Sequence, residues 1–204
     1  VNKCAFDSHS GKVLGDIADV SSGGPAPQGE KYFNGNNPFV RVQHIDQLSD
    51  SIDRYDLITD EAVKKYKLKK YKSGTIVFPK SGASIYLEKR AVLPVDAYIV
   101  SHLCAVNAVQ TEIDQQYLFY SLKQIALSKE KADGYPTLNL SEVKRVLILS
   151  PSIEEQRKIT CVLSRMKKAI NQQNIIIKKT KELKQSLMRR FFTYGLRGEE
   201  LKET

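Results

Sequence analysis

The stretch from Gly134 to Ile159, G-Y-P-T-L-N-L-S-E-V-K-R-V-L-I-L-S-P-S-I-E-E-Q-R-K-I, ends one kind of structure and starts another. Val146 to Leu149 is an apolar run of strand length, and Pro151, which has no backbone N–H to donate, stops it. Ser152 followed three residues later by Glu155 has the form of a capping box, in which hydroxyl and carboxylate satisfy donors left open at a helix entrance. No Gly or Pro interrupts the chain from Ile153 to Tyr194. Ile159, Leu163, Met166, Ile170, Ile177, Leu187 and Phe191 recur along it at steps of three and four or their multiples, an apolar seam on one helix face. About 40 residues at 1.5 Å each make a rod of about 60 Å, longer than a small domain is wide. Such a rod needs a neighbour. Gln173, Thr180 and Lys184 also fall on the seam, while Ile175, Ile176 and Leu183 lie beside it, so the pattern favours more than one contact face over an ideal zipper.

Working outward, the composition permits one good core. The 204 residues are 41% hydrophobic and carry a net charge of +9. No apolar run approaches the roughly 20 residues of a membrane helix, and the first residues hold no apolar signal core, so we expect a soluble chain with no membrane partner. Cys4, Cys104 and Cys161 are odd in number and widely spaced, which suggests neither a disulfide framework nor a metal knuckle and fits a reducing cytoplasm. The positive charge points to a polyanion. Residues 153–204 hold 13 Lys and Arg against 6 Asp and Glu, but the densest cluster is K-K-Y-K-L-K-K-Y-K, Lys64 to Lys72, with Tyr66 and Tyr71 interleaved. That cluster suits a phosphate backbone; a solvated helix end is the alternative.

The first 150 residues predict a mixed globule. Val13 to Val20 reads as a short helix or a lead-in to a strand, and Ser21 to Gly35 as a long loop. Pro38 to His44 alternates as a half-buried strand would. Thr59 is placed to cap a short helix. Gly74 opens the strand T-I-V-F-P ahead of the loop K-S-G-A-S, and further strands fall at Ala91 to Leu93, Tyr98 to Ser101 and Cys104 to Ala108. Asp114 caps an amphipathic helix that carries Leu118, Leu122 and Ile125 on one face. The class is α+β, a β-rich globule followed by one long C-terminal helix.

Four stretches together resemble the specificity subunits of type I restriction-modification systems. They are L-G-D-I-A-D-V-S-S-G near Leu14, N-N-P-F-V-R-V-Q-H-I-D near Asn36, G-T-I-V-F-P-K-S-G-A-S near Gly74, and L-N-L-S-E-V-K through S-I-E-E-Q-R-K-I. The match spans nearly the whole chain and corresponds to one repeating unit of that family, a target recognition domain and a spacer helix. Members usually carry Pro-Pro before the E-Q element, where Ser150-Pro151-Ser152 stands here. The resemblance implies a recognition domain over residues 1–151, a spacer helix over 152–194 that pairs antiparallel with another, and a linker over 195–204. It also implies a non-catalytic subunit that reads double-stranded DNA and carries a methyltransferase subunit and an ATP-driven restriction subunit. S-adenosylmethionine and ATP would belong to those partners, and this chain would hold no cofactor. With one reader and one rod, the chain is either a half-subunit that dimerises through its helix on an interrupted palindrome or one half of a larger subunit.

The residues offer little to an enzyme. Asn36-Asn37-Pro38-Phe39 lacks the second proline of the N-P-P-F element of amino-methyltransferases, and no Gly-rich nucleotide loop or Walker pattern occurs. His9, His44 and His102 lie far apart in sequence, with no paired nucleophile or ligand cluster and no metal site. For DNA contact we select Lys80, Ser81, Ser84, Lys89 and Arg90, which bracket a candidate hairpin, with Lys69, Lys70 and Lys72 from the basic cluster. Arg41, His44 and Tyr135 complete the set; lysines position a protein on DNA, and arginine can read guanine. For the helix interface we select the seam from Ile159 to Phe191, while the basic face with Arg157, Lys167, Lys168, Lys178 and Lys181 could meet DNA or methyltransferase, or simply be solvated. Two rivals remain: a coiled-coil interaction module whose head binds protein, and a stand-alone dimeric DNA-binding regulator.

Overall fold

The computed structural model describes residues 11–47, 49–128 and 136–196. The chain divides into two compact units, residues 1–157 and 158–204.

In the first unit ten short strands form two four-stranded sheets, one of them lying centrally between two cores, and a two-stranded ribbon. β1 (Gly11–Val13), α1 (Leu14–Ile17) and β2 (Ala18–Ser22) open the chain, and β3 (Phe33–Val40), β4 (Asp56–Ile58), α2 (Asp60–Lys65) and β5 (Lys70–Tyr71) follow. Next come β6 (Ile76–Pro79), β7 (Ala91–Val92), β8 (Ala97–Ile99) and β9 (Leu103–Ala108), then α3 (Gln115–Gln124), α4 (Leu140–Lys144) and β10 (Leu147–Leu149). One four-stranded sheet has the order β2-β9-β6-β7, a second β4-β3-β8-β5, and β1 pairs with β10 in a separate ribbon.

Alternation along β6 and β9 builds two cores from one sheet. Val77, Leu103 and Ala105 pack on one side with Phe39, Val40, Ile58, Tyr71 and Ile99. Ile76, Phe78, Cys104 and Val106 pack on the other with Leu14, Ile17, Leu118, Leu122 and Val143. A strand covered on both faces has no solvent side to keep polar, which is why I-V-F and L-C-A-V read as unbroken apolar runs. Burial raises the Cys104 thiol to about 12, so it stays protonated and inert. Gly23 is required where the loop after β2 crosses β8, because a Cβ there would lie 2.3 Å from the carbonyl oxygens of Ile99 and Val100.

The expected strand at Pro38 to His44 is corrected. β3 begins at Phe33, inside the expected loop, and ends at Val40, with Phe39 and Val40 both buried. The chain then turns through a 3-10 segment over Val42–His44, because the His44 ring accepts the Arg41 N–H and closes the turn. The local caps match expectation. The Thr59 hydroxyl accepts from Ala62 N, and the Asp114 carboxylate accepts from Gln116 N and Tyr117 N. α4 adds a helix at L-N-L-S-E-V-K, where Asn139 and Glu142 form a reciprocal capping box.

α5 (Ile153–Tyr194) is a single helix of 42 residues. The Ser152 hydroxyl accepts from Glu155 N at its start. One turn in, Gln156 is fully buried: its Oε1 accepts from Asp114 N at 2.8 Å and its Nε2 donates to Pro151 O at 2.9 Å. The E-Q element thus ties the first turn of α5 to the first turn of α3. No helix among the described residues is long and apolar enough to cross a membrane.

Candidate nucleic-acid interface

The basic cluster lies on α2, the turn after it and β5. Lys64, Lys65, Lys67, Lys69, Lys70 and Lys72 are exposed, whereas the interleaved tyrosines face inward. Tyr71 is 3% exposed, and its hydroxyl donates to Ser22 O at 2.8 Å. Tyr66 packs edge-on against Tyr32. The rings therefore anchor this segment, and Lys69 sits over the Tyr71 ring at 5.3 Å. The Lys65 ammonium, donating to Tyr32 Oη at 2.6 Å, holds that phenol below its ordinary value and the lysine above its own. No acidic residue occurs in the sequence from Ala62 to Leu87, although Glu61, on the same helix as Lys65, favours the charged form of that lysine.

The β6–β7 hairpin exists, and its connection passes through a 3-10 turn over Ala83–Leu87. Lys80, Ser81, Ser84 and Lys89 remain at least partly exposed along it, with Ser84 Oγ donating to Ser81 O. Lys89 donates to Ile45 O and borders a polar cleft of about 310 Å³ lined by Gln43, His44, Asp46, Ser51, Asp53 and Arg54 among others.

Arg90 requires a correction. Its side chain is only 2% exposed, with Nη2 donating to Glu88 Oε2 at 2.6 Å and to Ile125 O at 2.7 Å, and Nη1 to Glu88 O. That fork pins the hairpin connection to the end of α3, so Arg90 is not a free donor for a base. Burial pushes the Glu88 carboxyl up, but hydrogen bonds from Ser128 and the Arg90 guanidinium outweigh it and hold the carboxyl below its usual range. His44 is likewise taken up by the fold. It is 8% exposed; Nδ1 accepts from Arg41 N and Nε2 lies 3.6 Å from Asp56 Oδ1. Burial lowers its pKa against the opposing pull of Asp56. Arg41 is one-third exposed, with Nε 2.8 Å from Asp56 Oδ2 but not aligned as a hydrogen bond, and its guanidinium lies over Phe33. Tyr135, Cys4, His9 and residues 197–204 lie outside the described residues.

Two residues that the sequence does not single out for DNA contact join this surface. His102 and Thr137 come from separate segments to meet Ser81. The available signal was that S-H-L sits between two strands, where a turn would carry its side chain to the sheet rim. Among the described residues no group of three or more His, Cys, Asp or Glu is arranged to hold a metal ion.

On α5 the selected seam stands in solvent in the single chain. Met166 and Ile170 are more than half exposed, Ile159, Ile177, Leu187 and Phe191 are also exposed, and Leu163 is intermediate.

A mixed α+β globule and a long C-terminal helix in one chain define a class, and the comparisons give it a family. The type I restriction modification DNA specificity domain matches residues 11–182, and the chain belongs to that family. It is 33% identical over 196 residues to the type I restriction enzyme MjaIX specificity subunit of Methanocaldococcus jannaschii, covering 93% of this chain and 45% of that protein. Its fold is similar to a chain solved for complex assembly and conformational transition of the type I R-M system (TM-score 0.68, 19% identity, 96% of this chain and 49% of that one). It is also similar to the HsdS subunit from Thermoanaerobacter tengcongensis (TM-score 0.60, 20% identity, 96% and 48%). The chain spans about half the length of the relatives it matches.

Proposed function

We propose that this chain is a non-catalytic DNA sequence-recognition subunit of a type I restriction-modification system, with residues 1–151 reading a short half-site. Residues 152–194 form the spacer helix that positions a methyltransferase subunit, and a restriction subunit joins the assembly. The observation that carries the reading is a single family match, residues 11–182, running from the globule well into the helix. The exposed apolar seam supports antiparallel pairing with a second such helix, which we assign to a second copy of this chain; two readers held apart by paired helices engage a bipartite site whose gap the helices set. Lys69, Lys70, Lys72, Lys80 and Lys89 approach phosphates, and Ser81 and Ser84 approach base edges. Tyr135, outside the described residues, is kept as a candidate DNA contact on sequence grounds. S-adenosylmethionine and ATP belong to the partner subunits in this reading.

The test is co-expression with the methyltransferase subunit and single-molecule mapping of methylated adenines in host DNA. Methylation at one palindromic, interrupted motif establishes the dimeric half-subunit. Complex formation without methylation means that a second, different half is required, and no complex at all favours the interaction-module reading. Tight, specific binding by the isolated chain at physiological salt favours a stand-alone regulator.

A further inference from the structure

The rim of the central sheet holds a compact polar group assembled from three segments. β6 and β9 pair as far as Pro79 opposite Leu103, so Lys80 and His102 are the next residues past that register. Lys80 N donates to His102 O at 2.9 Å, Leu138 N donates to Lys80 O at 2.7 Å, and Gly82 N donates to Pro136 O at 2.9 Å. Ser81 and Thr137 form an antiparallel bridge. Gly82 has a φ of 79°, in the left-handed region that glycine adopts without strain, and this turns the chain after Ser81. The backbone of all three segments is thus fixed by the sheet. The side chains they carry are not buried: His102 is exposed, and Lys80, Ser81 and Thr137 are half-exposed.

Within this group Ser81 Oγ is hydrogen-bonded to His102 Nδ1. That bond fixes the ring and leaves Nε2 on the far edge, with no protein partner among the described residues. If Ser81 donates, Nε2 carries the ring proton and is a donor, while the hydroxyl oxygen keeps an acceptor lone pair. If Nδ1–H donates, the hydroxyl is free to donate and Nε2 accepts. In either tautomer the pair offers one donor and one acceptor from a rigid base, a pattern complementary to N6–H2 and N7 on the major-groove edge of adenine.

We infer that His102, oriented by Ser81, is a specificity-determining residue that reads a base edge in the half-site, with Lys80 on the adjoining phosphate and Thr137 beside it. This inference rests on the DNA-recognition reading above. Among the described residues His102 is the histidine left for such work, since His44 is spent on a turn.

The experiment compares methylation motifs in cells that co-express the methyltransferase subunit with the parent chain, His102→Ala or Ser81→Ala. Circular dichroism melts of each purified complex check folding. With His102→Ala we expect one base position of the motif to lose its preference by about tenfold to a hundredfold while the remaining positions hold. Ser81→Ala, which frees the ring without removing it, should relax the same position by less. An unchanged motif with both folded variants overturns the inference and leaves the recognition reading intact. So does a uniform fall in methylation at every site, which is how a phosphate contact behaves. If the chain forms no complex with the methyltransferase subunit, the recognition reading fails and this inference fails with it.

Discussion

Arg41 and Arg90 are held against the globule by carboxylates and aromatic rings, whereas Lys69, Lys70 and Lys72 stand in solvent on a segment anchored by its tyrosines. Both sets are cationic and both lie near proposed DNA-contacting loops. The difference follows from side-chain chemistry. A guanidinium offers five donors in a planar fork, so it can satisfy a carboxylate and backbone carbonyls together and survive burial. An ammonium is strongly hydrated and keeps its head in water while its stem lies along a ring. Arg41 and Arg90 hold the loops in shape, and Lys69, Lys70 and Lys72 are left for a partner.

Removing a buried fork is the hardest test of that division. Arg90→Ala leaves Glu88 Oε2 and Ile125 O without their partner and should cost about 3–5 kcal/mol, a fall in Tm of roughly 10 °C. Arg90→Lys keeps the charge without the fork and should lose less. If both variants melt like the parent, the guanidinium is not a structural pin, and Arg90 returns to the set of candidate base readers.

The lysines should show the opposite profile. Lys69→Ala, Lys70→Ala and Lys72→Ala together should leave Tm nearly unchanged, because each exposed position contributes within about 0.5 kcal/mol. Binding of DNA by the complex with methyltransferase should weaken about a hundredfold near physiological salt. The slope of log affinity against log salt should become shallower by about three, close to one for each lost phosphate contact. A large fall in Tm with an unchanged salt slope would reverse the assignment.

The same split between spent and spare side chains explains what the sequence made legible. Thr59, Asp114 and Ser152 cap through bonds to N–H groups two or three residues away, so spacing alone identifies them. β6 and β9 show as apolar runs because a core covers each of them on both faces. The fate of Arg90 was hidden, since one of its carbonyl partners is 35 residues distant. β3 was hidden in part because it begins F-N-G-N-N-P, a composition that signals a loop. The Asn139-x-x-Glu142 signature of α4 was readable but lay inside a stretch dominated by the start of α5. At the proposed DNA surface, Lys80 and Ser81 carried a local signal, but His102 meets Ser81 only because β6 and β9 are paired.

A third contrast sets Gln156 against the seam further along α5. Gln156 is buried with three hydrogen-bonding contacts, whereas Ile170 is exposed in the single chain. Gln156→Ala should destabilise the globule by about 2 kcal/mol, since Asp114 N and Pro151 O lose their partner. Ile170→Ala should leave Tm unchanged at protein concentrations where the chain is monomeric and lower it only where helices pair, so melts across a dilution series separate the two. If Ile170→Ala lowers Tm at every dilution, the seam is spent within the single chain and is not an association surface.

His44 gives the smallest effect and the sharpest sign. Burial holds its pKa below the ordinary value of 6.5, so the unfolded chain binds the proton more readily than the folded one. The stability linked to the neutral ring is therefore full above about pH 6.5 and is lost as pH falls through the lowered folded value. The geometry fixes the same direction: Nδ1 accepts the Arg41 N–H, so a proton on that nitrogen breaks the turn that ends β3. His44→Asn retains an acceptor in that place but cannot titrate. Melts at pH 7.5 and pH 5.5 should therefore show the parent losing more Tm on acidification than His44→Asn, with the two similar at the higher pH. An equal loss in both would mean that the acid sensitivity lies elsewhere and that His44, like Lys69, is spare rather than spent.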